Sequence, residues 1–173
     1  MRRGDSDPKS VSWSLWSFMS IINCINFKYT TDNFILPFIF LIDSIFCIFI
    51  FFYGIHTKKF QFFKSKDWSI FSLGSTAILL EFFYKNHFIS NIIIFFAYVF
   101  SFLPTIVGVW KNRNSENPLS WWFCSIAYLF LITDIFYKKS PIEFYLVPSI
   151  LFILHLVIAL LAKKKEIFES PVN

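Results

Sequence analysis

Six apolar runs divide the sequence, and their lengths constrain the fold more than any other feature. A helix needs about 20 apolar residues to cross the hydrocarbon core of a bilayer, so runs of roughly 17 to 25 residues predict transmembrane helices. We label these predicted helices A (11–27), B (34–55), C (68–84), D (88–110), E (119–137) and F (142–162). Because 56% of the 173 residues are hydrophobic, the composition excludes a soluble domain and predicts an all-α, polytopic membrane helical bundle.

Helix A is the least apolar of the six, since serines and asparagines interrupt it along its whole length. Polar side chains need partners inside a membrane, so we expect helix A in the interior of the bundle.

The basic residues of the connecting segments predict the orientation of the helices. The N-terminal segment, the 56–67 and 111–118 loops and the C-terminal tail hold twelve of the 16 Lys and Arg residues, and the other three loops hold four. Cytoplasmic loops are enriched in Lys and Arg. The alternation therefore predicts an even number of spans, with both termini in the cytoplasm.

Several classes of function have no support in the sequence. The basic residues behind the net charge of +5 lie between apolar runs and form no single patch, so we expect no nucleic-acid partner. Cys24, Cys47 and Cys124 are widely spaced, without a histidine at ligand spacing, so we expect no metal site. No G-x-S-x-G, H-E-x-x-H or Walker A pattern is present, so we expect no enzyme activity and no cofactor.

The starts of helices A and E resemble each other. Both carry a proline followed by a Ser-Trp pair, namely Pro8 with Ser12-Trp13 and Pro118 with Ser120-Trp121. Pro37 early in helix B likewise matches Pro148 early in helix F. Because both copies start on the predicted cytoplasmic side, A–B and E–F indicate a parallel repeat.

The segment between helices D and E carries a further pattern. Pro104-Thr105 and Trp110 lie in helix D, a basic loop with Ser115-Glu116-Asn117 follows, and helix E opens with Leu119-Ser120-Trp121-Trp122. We expect Trp110, Trp121 and Trp122 in the headgroup layer, which amphipathic rings prefer. The layout resembles the loop region of PQ-loop proteins, the superfamily that includes the SWEET and semiSWEET sugar transporters. A closer likeness is to uncharacterised bacterial membrane proteins of this type.

The resemblance implies a layout of two three-helix units joined by a linker helix, a 3+1+3 arrangement. Without the first helix of that layout, this chain forms a truncated 2+1+3 parallel repeat. Its units are then 1–66 (helices A and B), 67–86 (linker helix C) and 87–173 (helices D to F with the basic tail). Either the start of the chain is misassigned, or a homologous protomer fills the gap, as in a homodimer.

Asp43 in helix B and His155 in helix F are the main candidates for a solute site, because ionisable residues inside a membrane usually face a cavity or a partner. Aligning the two prolines places Ser44 opposite His155, at one level of the two copies. The resemblance implies that these three residues line a central pocket, in which Asp43 can exchange a proton.

Weaker pocket candidates are Asn23, Asn26, Thr133 and Asp134. For Asp134, near the predicted external end of helix E, simple solvation is the favoured alternative. The alternative for the main candidates is an Asp–His or Asp–hydroxyl contact that only holds helices together. Two interpretations of the Ser115-Glu116-Asn117 segment are open. It forms either a cytoplasmic latch or a cap for helix E, and Asn117 is suited to the N-cap position.

Pro37, Pro104 and Pro148 are candidate hinges, since a proline removes a helix hydrogen bond, although a static kink is equally open. Thr105 stands where SWEETs carry Gln, and Ile25 and Thr133 stand where they carry Trp. These departures argue against a sugar as the substrate, and no flat aromatic face is evident in the sequence.

The leading hypothesis is a PQ-loop/SWEET-like transporter in a bacterial inner membrane, which moves a small polar solute by alternating access. The solute would move down its own gradient or together with protons. The competing hypothesis is a structural or accessory membrane protein that transports nothing.

Overall fold

The computed structural model describes residues 10–30, 34–57, 65, 67–69, 71–72, 75–76, 79 and 87–162. Within them lie five long helices: α1 (Ser10–Thr30), α2 (Ile35–His56), α3 (His87–Lys111), α4 (Pro118–Tyr137) and α5 (Glu143–Leu161). They correspond to predicted helices A, B, D, E and F. Predicted helix C and the linker unit lie mostly outside the described residues, and their few described positions between 65 and 79 are helical.

Four of these helices are long and apolar enough to cross a membrane: α2, α4, α5 and the Asn91–Lys111 part of α3. Helix α1 contributes a shorter apolar stretch, Ser10–Ile25. The prediction of an all-helical, multi-pass membrane bundle is thereby confirmed. The sixth span, the repeat and the side on which the termini lie stay predictions.

Local sequence signals begin and end α4. Asn117 caps its start, with the side-chain oxygen accepting a hydrogen bond from the Leu119 N–H at 3.0 Å, and Pro118 occupies the first turn, where no N–H is needed. At the other end Lys139 adopts a left-handed φ of 51°, and the Ser140 N–H bonds to the Ile135 carbonyl at 3.2 Å. The helix therefore stops where the short turn into α5 begins.

The helices pack in the order α2–α1–α3–α5–α4, because α1 contacts α2 and α3 while α5 contacts α3 and α4. Helices α1 and α2, at one end of this order, also approach α4, at the other end, across the centre of the bundle. Phe40 of α2 and Tyr128 of α4 have ring centroids 6.5 Å apart, and Trp16 of α1 and Trp121 of α4 have theirs 5.9 Å apart. The five helices thus flank a central space.

Helix α1 is interior, as its composition predicts, since Ser12, Ser14, Ser17, Ser20 and Asn23 are all buried. In a membrane-spanning bundle these groups need protein partners, because the bilayer core offers none. Several of them find those partners on α2 and α3.

The seam between α1 and α3 lies beside Pro104. Proline lacks an N–H and its ring crowds the preceding turn, so the Phe100 carbonyl has no helical donor at position 104. Ser12 of α1 donates to the carbonyl of the next residue, Ser101, at 2.6 Å, and Thr105 donates to the Ser12 hydroxyl at 3.1 Å. A hydroxyl of the neighbouring helix thus bonds to the backbone beside this interruption.

Candidate functional site

A cavity of about 510 Å³ lies between the five helices. We call it the central cavity. It is lined by Trp13, Trp16, Asp43, Phe46, Cys47, Ile50, Tyr53, Gly54, Tyr98, Phe102, Glu116, Asn117, Ser120, Trp121, Cys124, Tyr128, Leu151 and His155. Each helix contributes a stripe at helical spacing. On α2, for example, Asp43, Cys47, Ile50 and Gly54 follow one another at intervals of three or four residues, so they share one face.

Asp43 is the acidic group in the wall contributed by α2. One oxygen of its carboxylate accepts a hydrogen bond from the Ser20 hydroxyl of α1. The other oxygen lies 3.9 Å from the Cys47 thiol sulfur, one turn along α2. Asp43 thus lines the cavity and also links α1 to α2 through the Asp–hydroxyl contact.

His155 of α5 lies within a group of aromatic rings. Its ring centroid is 5.0 Å from that of Phe102, 5.3 Å from that of Trp121 and 5.2 Å from that of Tyr128. The Nδ1 atom lies 2.6 Å from the Leu151 carbonyl, and a carbonyl can only accept, so we assign the hydrogen to Nδ1. In the neutral imidazole Nε2 is then an acceptor, and it has no hydrogen-bond partner in the part of the chain that the structure describes.

Tryptophan rings form the wall near the start of α1 and α4. Trp13 and Trp16 contact each other edge to face at 4.9 Å, and Trp16 lies 4.5 Å from Phe102. The indole N–H of Trp16 donates to the Ser101 hydroxyl at 2.8 Å, and that of Trp121 donates to a Glu116 carboxylate oxygen at 3.3 Å. The indole N–H groups of Trp16 and Trp121 are thus engaged, and both rings line the cavity.

This aromatic wall is not predicted from the sequence. Trp121 is only 6% exposed, against 72% and 40% for Trp110 and Trp122, so the prediction that all three lie in the headgroup layer is wrong for Trp121. The Ser-Trp pairs that open helices A and E, and the four-residue spacing of Tyr98 and Phe102, are the sequence signals that lie nearest to this wall.

The central cavity reaches one end of the bundle and not the other. Its lining includes Tyr53 and Gly54 from the last turn of α2, with Glu116 and Asn117 from the α3–α4 loop. We call this the loop end. It is the end predicted to face the cytoplasm.

At the opposite end three fully or nearly buried rings fill the centre, and we call them the phenylalanine layer. Phe27 of α1 stacks on Phe40 of α2 at 5.2 Å and lies 5.8 Å from Phe144 of α5. None of the three lines the central cavity. The layer therefore closes the bundle on the side away from the loop end.

The structure brings Asp43 and His155 to the same cavity without a bond between them among the described side chains. Asp43 lies six residues after Pro37 in α2, and His155 lies seven residues after Pro148 in α5. Their equal level in two copies of a repeat stays a prediction.

Of the other proposed binding residues, those whose side chains the structure describes do not line the cavity. Ser44 is buried and donates to the Phe40 carbonyl at 2.7 Å, within its own helix. Asn23 donates to the Tyr98 hydroxyl at 2.7 Å, so it contacts a cavity residue without lining the cavity itself. Thr133 is exposed and donates to the Leu129 carbonyl at 2.8 Å. The side chain of Asn26 lies outside the described part of the structure.

The three proposed hinges have different surroundings. Pro104 and Pro148 lie inside α3 and α5, and Pro37 lies in the first turn of α2, where a proline costs little.

Over the described residues there is no group of three His, Cys, Asp or Glu side chains able to hold a metal ion. Comparisons with protein-family models, with curated proteins and with solved structures found no match to this chain.

Proposed function

We propose that this chain is a membrane transporter of PQ-loop/SWEET-like layout, which carries a small polar solute across a bacterial inner membrane by alternating access. The observation that supports it most is the one-ended central cavity. Alternating access requires a central site that is open to one side at a time. A cavity with Asp43 and His155 in its walls, the loop end at its mouth and the phenylalanine layer behind it corresponds to an inward-facing form.

Conversion to an outward-facing form would open the phenylalanine layer and close the loop end. Pro104 in α3 and Pro148 in α5 are suited to such a movement, because each interrupts the hydrogen bonding of a helix that packs against two others.

The competing proposal is a structural or accessory membrane protein. It has support in the hydrogen bond between Ser20 and Asp43, which links two helices without any solute. The two proposals differ in whether the central cavity carries flux.

Reconstitution of the full chain into proteoliposomes tests the proposal. Uptake of four radiolabelled solutes would be measured, namely glucose, alanine, choline and acetate, against protein-free vesicles. Cys47→Trp places a large ring in the cavity and should abolish the flux of whichever solute enters. Ile45→Trp is the matched control, because Ile45 lies on the outer face of the same helix with 58% of its surface exposed. This variant should keep the wild-type rate.

Two results would count against transport. One is uptake no faster than in protein-free vesicles for every member of the panel. The other is equal uptake by wild type and Cys47→Trp, since the flux would then bypass the central cavity.

A further inference from the structure

We propose that the solute of the central cavity is a small organic cation, an amine or quaternary ammonium with an apolar body. This inference rests on the proposed function, because it names the class of solute that the site would carry. The charge, the ring faces and the hydrogen-bonding groups of the cavity walls support it.

The charged residues of the cavity have one sign. Asp43 is an acid in the α2 wall, and Glu116 is an acid at the loop end. No lysine or arginine of the described chain lines the cavity. An anionic solute would lose its hydration and find no positive charge in exchange, whereas a cation would be matched by the Asp43 carboxylate.

The aromatic wall favours the same class of solute. Trp16, Phe102 and Trp121 form a triangle of rings, with centroid separations of 4.5, 5.9 and 6.2 Å. The face of an aromatic ring carries partial negative charge and attracts a cation within about 6 Å, tryptophan most strongly. The same faces accommodate methyl and methylene groups, so the wall suits a cation with an apolar surface.

His155 and two indoles of the aromatic wall offer no free hydrogen-bond donor. His155 presents Nε2 as an acceptor, because Nδ1 donates to Leu151. The indole N–H groups of Trp16 and Trp121 are bound to Ser101 and Glu116. An ammonium group has no acceptor to satisfy, so it suits this part of the wall.

A pair of ligands of equal shape tests the inference. Choline and its neutral isostere 3,3-dimethylbutan-1-ol differ in one atom, nitrogen against carbon, and so in charge. We would measure binding of both to the full chain in nanodiscs by isothermal titration calorimetry. Choline should bind at least about tenfold more tightly than the isostere, as a charge held by aromatic faces and a carboxylate predicts. Equal affinity of the two compounds, or binding of neither, overturns the inference.

Variants test whether the preference for choline over its neutral isostere arises in the central cavity. Asp43→Asn should weaken choline binding at least about tenfold, whereas Asp43→Glu should keep most of it because the charge remains. The matched control is Asp134→Asn, since Asp134 pairs with Lys138 outside the cavity. A choline affinity that is unchanged in Asp43→Asn would contradict the assignment even if the charge preference is present.

Neighbouring tryptophans give a second matched pair. Trp121→Leu should weaken choline binding by at least about fivefold, and Trp121→Phe less, because it keeps a ring face. Trp122→Leu should bind as the wild type does, since Trp122 does not line the cavity. Equal loss in Trp121→Leu and Trp122→Leu would mean that binding occurs elsewhere.

The failures of the two proposals are distinguishable. Charge-selective choline binding without choline uptake in proteoliposomes would retain the cation site and refute transport. Uptake of glucose or alanine through the central cavity, with no choline binding, would retain transport and refute the cation inference.

Discussion

Ser20 and Asp43 join α1 to α2 by one hydrogen bond between side chains inside the bundle. Removing the donor leaves a carboxylate oxygen in the protein interior without its partner. Loss of a hydrogen bond to a buried charged group costs about 1–3 kcal/mol. We therefore expect Ser20→Ala to lower the midpoint of thermal unfolding in detergent, measured by circular dichroism.

Ser17→Ala is the matched control for this change. Ser17 lies one turn before Ser20, is also largely buried, and donates to the Trp13 carbonyl of its own helix at 2.8 Å. Its removal deletes no contact between helices. Equal midpoints for the two variants would show that the Ser20 contact does not stabilise the bundle.

Single residues also mark the limit of what the sequence could predict. Asp43 and His155 were identified as cavity residues because an ionisable group inside a membrane is costly and so is informative by itself. Tryptophan carries no such signal, since it suits the headgroup layer and the protein interior alike. Trp121 and Trp122 are adjacent in sequence, yet the rotation of about 100° between them turns one into the cavity and the other outward.

Helix α3 is contacted by a hydroxyl of its neighbour beside the position where Pro104 interrupts its hydrogen bonding. Pro104 lacks the N–H that would bond to the Phe100 carbonyl, and Ser12 bonds to the carbonyl of the next residue, Ser101. In Pro104→Ala the restored N–H can bond to the Phe100 carbonyl and regularise this turn, so Ser12 should matter less. We expect Ser12→Ala to be less destabilising in the Pro104→Ala background, with a coupling energy of at least about 0.5 kcal/mol.

The wild type, Ser12→Ala, Pro104→Ala and the double variant form a double-mutant cycle. Thermal unfolding of these four proteins measures the coupling energy. A parallel cycle with Ser14→Ala is the control, because Ser14 donates to the Val11 carbonyl within α1 and makes no hydrogen bond to the described residues of α3. That second cycle should be additive. If the Ser12 cycle is additive as well, the hydroxyl does not compensate for the proline.

At the scale of whole elements the sequence was informative, because the thickness of a bilayer fixes the length of an apolar run. The predicted helices B and D differ from α2 and α3 by one residue at each end. Helix A was placed inside the bundle correctly, since its serines need protein partners. Asn117 was correctly assigned as the N-cap of α4, because its side chain and Pro118 give a local signal that requires no tertiary contact.

The arrangement of the whole molecule could not be read from the same patterns. In a membrane both the lipid-facing and the protein-facing sides of a helix are apolar, so hydrophobic periodicity does not tell which face packs. Twenty-six phenylalanines add to the ambiguity. Phe27 and Phe40 close the bundle while Phe49 and Phe52 are exposed, and only the packing of α1 against α2 separates the two kinds.

The closure of one end by the phenylalanine layer predicts that the central cavity is accessible from one side of the membrane. Cys47 lines the cavity and serves as a native probe. In the Cys24→Ser, Cys124→Ser double variant, a membrane-impermeant methanethiosulfonate should modify Cys47 in inside-out vesicles, where the reagent meets the loop end. Modification in right-side-out vesicles should be much slower, because the reagent then meets the phenylalanine layer. Mass spectrometry of the intact chain measures the extent of modification.

Two further variants decide what the labelling means. A chain that retains only Cys24, which does not line the cavity, should react slowly from both sides. Phe40→Ala removes a ring that stacks on Phe27 and approaches Tyr128, so it should let the reagent reach Cys47 from the second side. Equal labelling of Cys47 from both sides in the presence of Phe40 would mean that the layer does not seal the bundle. Unchanged one-sided labelling in Phe40→Ala would place the seal at another level of the helices.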